Sequence, residues 1–164
     1  MTLGKTAKCV NSGKISGDIN VGGIAGAMAM EYELDPEDDV TISIDSSARR
    51  KYEVKAIVQN CENLGAVTSK RNYAGGIVGK MDLGLIAGCE SYGSAKSESG
   101  NYVGGIAGIA SSTVRHCFVK CTLSGKKYIG GIVGSGVEED RSGGSSTVAG
   151  CYAIVTITEY EQYA

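Results

Sequence analysis

One five-residue phrase, Gly-Gly-Ile-(Ala/Val)-Gly, occurs four times in this chain, at residues 22–26, 75–79, 104–108 and 130–134. Its glycines are Gly22, Gly23 and Gly26; Gly75, Gly76 and Gly79; Gly104, Gly105 and Gly108; and Gly130, Gly131 and Gly134. A phrase that returns nearly unchanged restricts the fold to repeated units that bury their apolar faces on one another. Cysteines set the period: Cys9, Cys61, Cys89, Cys117 and Cys151 are separated by 52, 28, 28 and 34 residues. Six residues after each stands an apolar side chain, Ile15, Val67, Ala95, Leu123 or Ile157. Three residues before the last four stands Val58, Ile86, Val114 or Val148. Gly13, Gly65 and Gly93 follow the first three cysteines by four residues. The pattern amounts to four full repeats and the start of a fifth.

Within a unit the apolar residues form short clusters rich in Ile and Val, bounded by Gly, Ser and Asn, which is how short strands read. A period near 28 residues with three such segments predicts one coil of a parallel β-solenoid. The segments are the approach to Cys, the stretch after it, and the Gly-Gly-Ile stretch. Coils then stack with strands ~4.8 Å apart, like residues above like. In that arrangement the glycines mark corners at positive φ or places where chain segments pass closely. The expectation is an all-β β-helix of four to five coils in a single domain, 1–164, with coils starting near each anchoring cysteine.

The stretches CVNSGKISGDINVGGIAG, CENLGAVTSKRNYAGGIVG, CESYGSAKSESGNYVGGIAG and CFVKCTLSGKKYIGGIVG resemble the GLUG repeat, whose common form pairs NCYSxGxVxG with VGGLVG. Ile stands where that family usually has Leu, a volume-conserving exchange. The resemblance covers nearly the whole chain apart from one insertion. It implies an extracellular or cell-surface repeat module of a large exported bacterial protein, either adhesin-like or an immunoglobulin A-cleaving metallopeptidase. It also implies adjoining domains in a longer chain.

Two departures break the period. Between Gly26 and Cys61 there are 24 extra residues, in which Met28, Met30, Tyr32 and Leu34, then Val40, Ile42 and Ile44, alternate around an acidic turn. This pattern predicts a β-hairpin insertion over 28–56 that either recognises a partner or caps a strand edge. Six extra residues in 136–146 read as a polar surface loop.

Candidate binding residues are the tyrosines Tyr73, Tyr102 and Tyr128, each two residues before a double glycine, and the acidic cluster Asp35, Glu37, Asp38 and Asp39. A tyrosine ladder either packs internally or presents rings to sugar or peptide. The acidic turn lacks the Gly and terminal Glu of an EF-hand loop, and the coils lack the G-G-x-G-x-D calcium repeat, so a solvated turn is the plainer reading. Five stacked cysteines at ~4.8 Å suit packed free thiols better than disulfides, whose Cβ atoms sit ~3.5–4.5 Å apart. Cys121, four residues along the same strand as Cys117, is ~13 Å from it. The sequence offers no four-ligand zinc pattern. His116 precedes an inward cysteine and points outward.

No metal, cofactor or catalytic residue is therefore expected. A carbohydrate-active β-helix enzyme would need paired carboxylates on one face. Within the regular coils only Glu62 and Glu90 share a repeat position. A formal net charge of −2 gives no basic footprint for nucleic acid. No apolar run approaches the ~20 residues that cross a bilayer. The first residues carry no signal-peptide core, so the chain reads as intracellular or as a piece of a longer exported protein. The function expected is a non-catalytic structural or adhesive module whose partner is a host protein or glycan. The alternatives are an accessory region of an exported metallopeptidase and a carbohydrate-active enzyme.

Overall fold

The computed structural model describes residues 3–29, 55–137 and 146–159. The middle of the predicted hairpin, with Asp35, Glu37, Asp38 and Asp39, lies outside the described residues, as does most of the 136–146 loop. At the margins of the insertion, Met28 pairs with Met81 and Ala56 pairs with Gly4, so both belong to the regular coils.

The described chain is all strand and turn, wound as a parallel β-solenoid. The first coil contains β1 (Leu3–Ala7), β2 (Val10–Asn11), β3 (Ile15–Gly17), β4 (Val21–Gly22) and β5 (Ala25–Met28). The second contains β6 (Lys55–Gln59), β7 (Glu62–Asn63), β8 (Ala66–Ser69), β9 (Ala74–Gly75) and β10 (Val78–Met81). The third contains β11 (Leu85–Ala87), β12 (Glu90–Ser91), β13 (Ser94–Ser97), β14 (Val103–Gly104) and β15 (Ala107–Ala110). The fourth contains β16 (Thr113–Arg115), β17 (Phe118–Ser124), β18 (Ile129–Gly130) and β19 (Val133–Ser135). The fifth has β20 (Thr147–Ala149) and β21 (Tyr152–Glu159).

Each strand pairs in parallel with its counterparts one coil away, which makes four stacked sheets. The approach strands form β1-β6-β11-β16-β20, and the wall after the cysteines carries the largest sheet, of eight strands. Where three segments per coil are expected, most coils have five strands. The Gly-Gly-Ile stretch turns a corner at its second glycine and contributes to two sheets, β4-β9-β14-β18 and β5-β10-β15-β19.

The register places like on like. Val58, Ile86 and Val114 stack inward, as do Val67, Ala95 and Leu123, and all six are buried. Ile77 and Ile106, from the repeated phrase, are fully buried beside them. Each such side chain contributes ~1.5–3 kcal/mol by leaving water.

Position Cys+4 decides the shape of the large wall. Where it is Gly13, Gly65 or Gly93, the strand breaks in two. Asn11 and Asn63 then accept hydrogen bonds from Gly13 N–H (3.1 Å) and Gly65 N–H (3.2 Å), an Asx-type turn. A Cβ on Gly65 would lie 1.9 Å from the Gly13 carbonyl oxygen. Where Cys121 or Val155 occupies that position, the strand runs through unbroken as β17 or β21.

None of the glycines in the repeated phrase has positive φ; they are needed for closeness instead. A Cβ on Gly75 would lie 1.8 Å from the Val78 oxygen, and one on Gly76 2.1 Å from the Gly105 oxygen in the next coil. Left-handed corners fall elsewhere, in two columns, one of five residues and one of four among the described residues. One precedes each cysteine, at Lys8, Asn60, Gly88, His116 and Gly150 (φ 51° to 61°). The other is at Asn20, Tyr73, Tyr102 and Tyr128 (φ 53° to 66°).

Gly75→Ala should therefore destabilise the fold by at least about 3 kcal/mol. Gly4→Ala, with nothing within 4 Å of its new Cβ, should change stability by less than about 0.5 kcal/mol. Urea unfolding of the two variants tests the close-passage account, and a tolerated alanine at position 75 would refute it.

Candidate functional site

Two corner columns and the groove beside one of them hold the side chains with chemistry. At the first corner, the residue before each cysteine reverses the chain in the left-handed region and gives its N–H to the next coil. Lys8 donates to Gln59 (3.1 Å), Asn60 to Ala87 (2.9 Å), Gly88 to Arg115 (3.1 Å) and His116 to Ala149 (3.0 Å). Each cysteine then turns inward and its thiol meets the carbonyl oxygen two residues back. The Sγ···O distances are 3.6 Å for Cys9, 3.3 Å for Cys61, 3.5 Å for Cys89, 3.3 Å for Cys117 and 3.4 Å for Cys151. A small apolar body with a weak donor fits this corner: it fills the core and meets a carbonyl the corner leaves to one side.

The five cysteines stand on consecutive rungs and all six thiols are free. Cys61, Cys89 and Cys117 are buried, Cys151 is half-buried, and Cys9, in the first coil, is exposed. Beside the Cys117 thiol on the next rung, Cys89 is held below the ordinary thiol range, whereas the neighbouring Cys89 sulfur and burial hold Cys117 well above it. Burial also raises Cys61, and it pushes Cys121 up to about 11. Among the described residues no three His, Cys, Asp or Glu side chains converge on a metal position.

At the second corner Tyr73, Tyr102 and Tyr128 form a continuous stack. Ring centroids are 5.1 Å apart at 17° for the first pair and 4.9 Å at 11° for the second, and the Lys80 ammonium sits 5.4 Å from the Tyr73 centroid. Both faces of Tyr102 are therefore occupied by other rings, and it is 5% exposed; Tyr128 is 39% exposed. A tyrosine held at φ near 60° bears ~1–2 kcal/mol of backbone strain. Ring stacking and burial offset that cost.

The groove was not legible as a site in the sequence. Gly88 lacks a side chain on a rung between Asn60 and His116, and the opening, ≈ 350 Å³, is lined by Asn60, Cys61, Glu62, Gly88 and Glu90. Asn60 Oδ1 reaches into the space, 2.5 Å from where a Gly88 Cβ would lie. Glu62 and Glu90 are in register on neighbouring strands. The Tyr92 hydroxyl donates to Glu90, which raises the Tyr92 titration. The Tyr92 ring lies 5.8 Å from Phe118. On this face Glu62 is half-buried and Glu90 exposed. The sequence signal for the groove was the mixed column Lys8, Asn60, Gly88, His116 and Gly150, in which a missing side chain sits between two present ones. His116 is exposed, and its ring covers Gly150.

No family model matches the chain, and no curated protein matches it significantly. Among solved structures, the crystal structure of a "putative immunoglobulin A1 protease" from Bacteroides ovatus shares this fold, with a TM-score of 0.65 at 22% identity. The match covers 94% of this chain and 42% of that one, so the chain spans less than half the length of its structural neighbour.

In the folded protein without reductant, a small thiol reagent should label Cys9 rapidly and leave Cys61, Cys89 and Cys117 protected, and after unfolding it should count six thiols. A count near zero after unfolding would show oxidised bridges. Tyr102→Ala should cost about 3 kcal/mol, the usual loss for a buried aromatic ring. Tyr128→Ala, at the more exposed end of the stack, should cost less than half of that. Equal losses in thermal or urea unfolding would contradict the stacked-column reading.

Proposed function

We propose that this chain is a non-catalytic structural and adhesive module of a larger exported or surface protein. The observation that carries the reading is the parallel stack of like positions through the described coils. Its interior columns stay apolar, whereas an outward position such as that of Val10, Glu62, Glu90, Phe118 and Tyr152 changes chemistry along the stack. On the outer face of the wall after the cysteines, Val10, Leu64, Tyr92, Tyr152 and Ile154 are all exposed. A scaffold fixed inside and variable outside suits a module that presents contact residues on a stiff body. The resemblance to GLUG repeats supports an extracellular or cell-surface setting, and the insertion within 28–56 remains the proposed recognition arm.

A second reading, the accessory repeat region of an exported peptidase, is favoured by the name of the Bacteroides ovatus structure and by this chain's matching 42% of that protein. Both readings make the solenoid a non-catalytic part. They separate on the rest of the full-length product, where a metallopeptidase domain bearing an H-E-x-x-H motif would favour the second.

The direct test is a glycan and host-protein binding screen with the whole chain and with a variant in which residues 30–54 are replaced by a short Gly-Ser linker. A ligand whose affinity falls at least tenfold in the variant supports the adhesive reading. Turnover of a polysaccharide or peptide by the chain alone would overturn it.

A further inference from the structure

The cysteine column has a geometry that packing alone does not require. Five consecutive rungs each put one sulfur at the same corner, and along the stack the rungs repeat at the ~4.8 Å of paired strands. Three kinds of chemistry compete for such sulfurs. A disulfide needs an S–S distance of ~2.05 Å and Cβ atoms ~3.5–4.5 Å apart, which would pull two hydrogen-bonded strands out of register. Zinc needs a tetrahedral set of about four ligands, and no three candidate side chains converge among the described residues. A two-coordinate ion needs only two sulfurs facing each other along a line. With metal–sulfur bonds near the ~2.3 Å of zinc thiolates, it spans about 4.6 Å, one rung of the stack.

We propose that the cysteine column is a binding site for soft, two-coordinate monovalent cations of the silver(I) and copper(I) class, seated first between Cys89 and Cys117. Thiolate sulfur is the ligand type that selects such ions over hard cations, and these two cysteines lie fully inside an otherwise apolar core. Loading forms two metal–sulfur bonds and breaks two S–H bonds. Both protons pass to the buffer and no electron is transferred, so the product is a bis-thiolate complex with one negative charge. Cys61 and Cys151, on the rungs to either side, keep their protons and can donate S–H to the two coordinated sulfurs. A sulfur of this column already accepts a hydrogen bond, the Cys117 backbone N–H donating to Cys151 Sγ at 3.4 Å. The exposed Cys9 and the half-buried Cys151 are the ends at which the column meets solvent.

The experiment loads the purified chain with silver nitrate in chloride-free buffer, strips loosely held metal with a weak competing thiol, and weighs the product by native mass spectrometry. Circular dichroism follows the fold throughout. Wild type and Cys121→Ser, which changes a thiol outside the column, should retain silver and melt at higher temperature when loaded. Cys89→Ser and Cys117→Ser should each lose retention at least tenfold. X-ray absorption on loaded wild type supplies a reading independent of any variant's folding, with two sulfur neighbours per silver expected. Three or four sulfur neighbours, retention unaffected in both column variants, loss of the fold on loading, or no retention by folded wild type would each overturn the proposal.

Discussion

Backbone groups in this molecule are satisfied between coils, and every other feature answers to that. In a parallel stack the N–H and C=O groups of one coil find partners only if the next coil follows the same path at one strand spacing. Any side chain that pushes two coils apart therefore costs several hydrogen bonds in addition to its own contact. This is why the double glycines recur. Gly76 lies under the Gly105 oxygen, and Gly105 under the Gly131 oxygen, at distances that leave no room for a methyl group. The same constraint makes the interior columns uniform, since Val58, Ile86 and Val114 occupy the same place in successive layers.

A shared path also overrides local preference. Lys8, His116 and three tyrosines adopt left-handed conformations that a free chain would give to glycine or asparagine. Their N–H groups explain it: His116 bonds to Ala149 and Tyr102 to Lys127, each the counterpart carbonyl one coil on. Once a neighbouring coil bends at a given position, the next must bend there too, whatever residue it carries. The strain of ~1–2 kcal/mol per residue is smaller than the loss that would follow from letting one coil wander.

The same logic separates what could be read in the sequence from what could not. The period, the parallel stacking and the inward columns were legible because identical environments demand identical residues, and five cysteines with their Cys+6 partners recorded it. The corners were not, because a tyrosine or histidine in the left-handed region carries no local mark of a conformation imposed by its neighbour. The division of the Gly-Gly-Ile stretch between two sheets was hidden for a related reason. Those glycines signal closeness, and closeness does not reveal the direction in which the chain turns. Of the candidate site, the tyrosine and cysteine columns were visible as columns, whereas the groove at Gly88 arises from an absent side chain between Asn60 and His116 and becomes a feature only when the rungs are stacked.

The cross-section itself changes along the stack, and a single position controls the change. Through the first three coils a glycine at Cys+4 breaks the wall. In the first two it folds back on an Asx turn, with Asn11 and Asn63 bonded to each other at 2.8 Å across the layers. In the third, Ser91 replaces the asparagine and the Gly93 N–H donates to the Asn63 carbonyl at 3.3 Å. In the fourth coil Cys121 replaces that glycine, Val119 stands where Ser91 does one coil earlier, and the wall straightens into a seven-residue strand. A straight wall presents its outward residues, Phe118, Lys120 and Thr122, in one alternating row, whereas the folded wall sets Glu62 and Leu64 on one side of a bend and Ala66 on the other. The outer surface thus differs between the two parts of one solenoid, although Val67, Ala95 and Leu123 form one buried column beneath both.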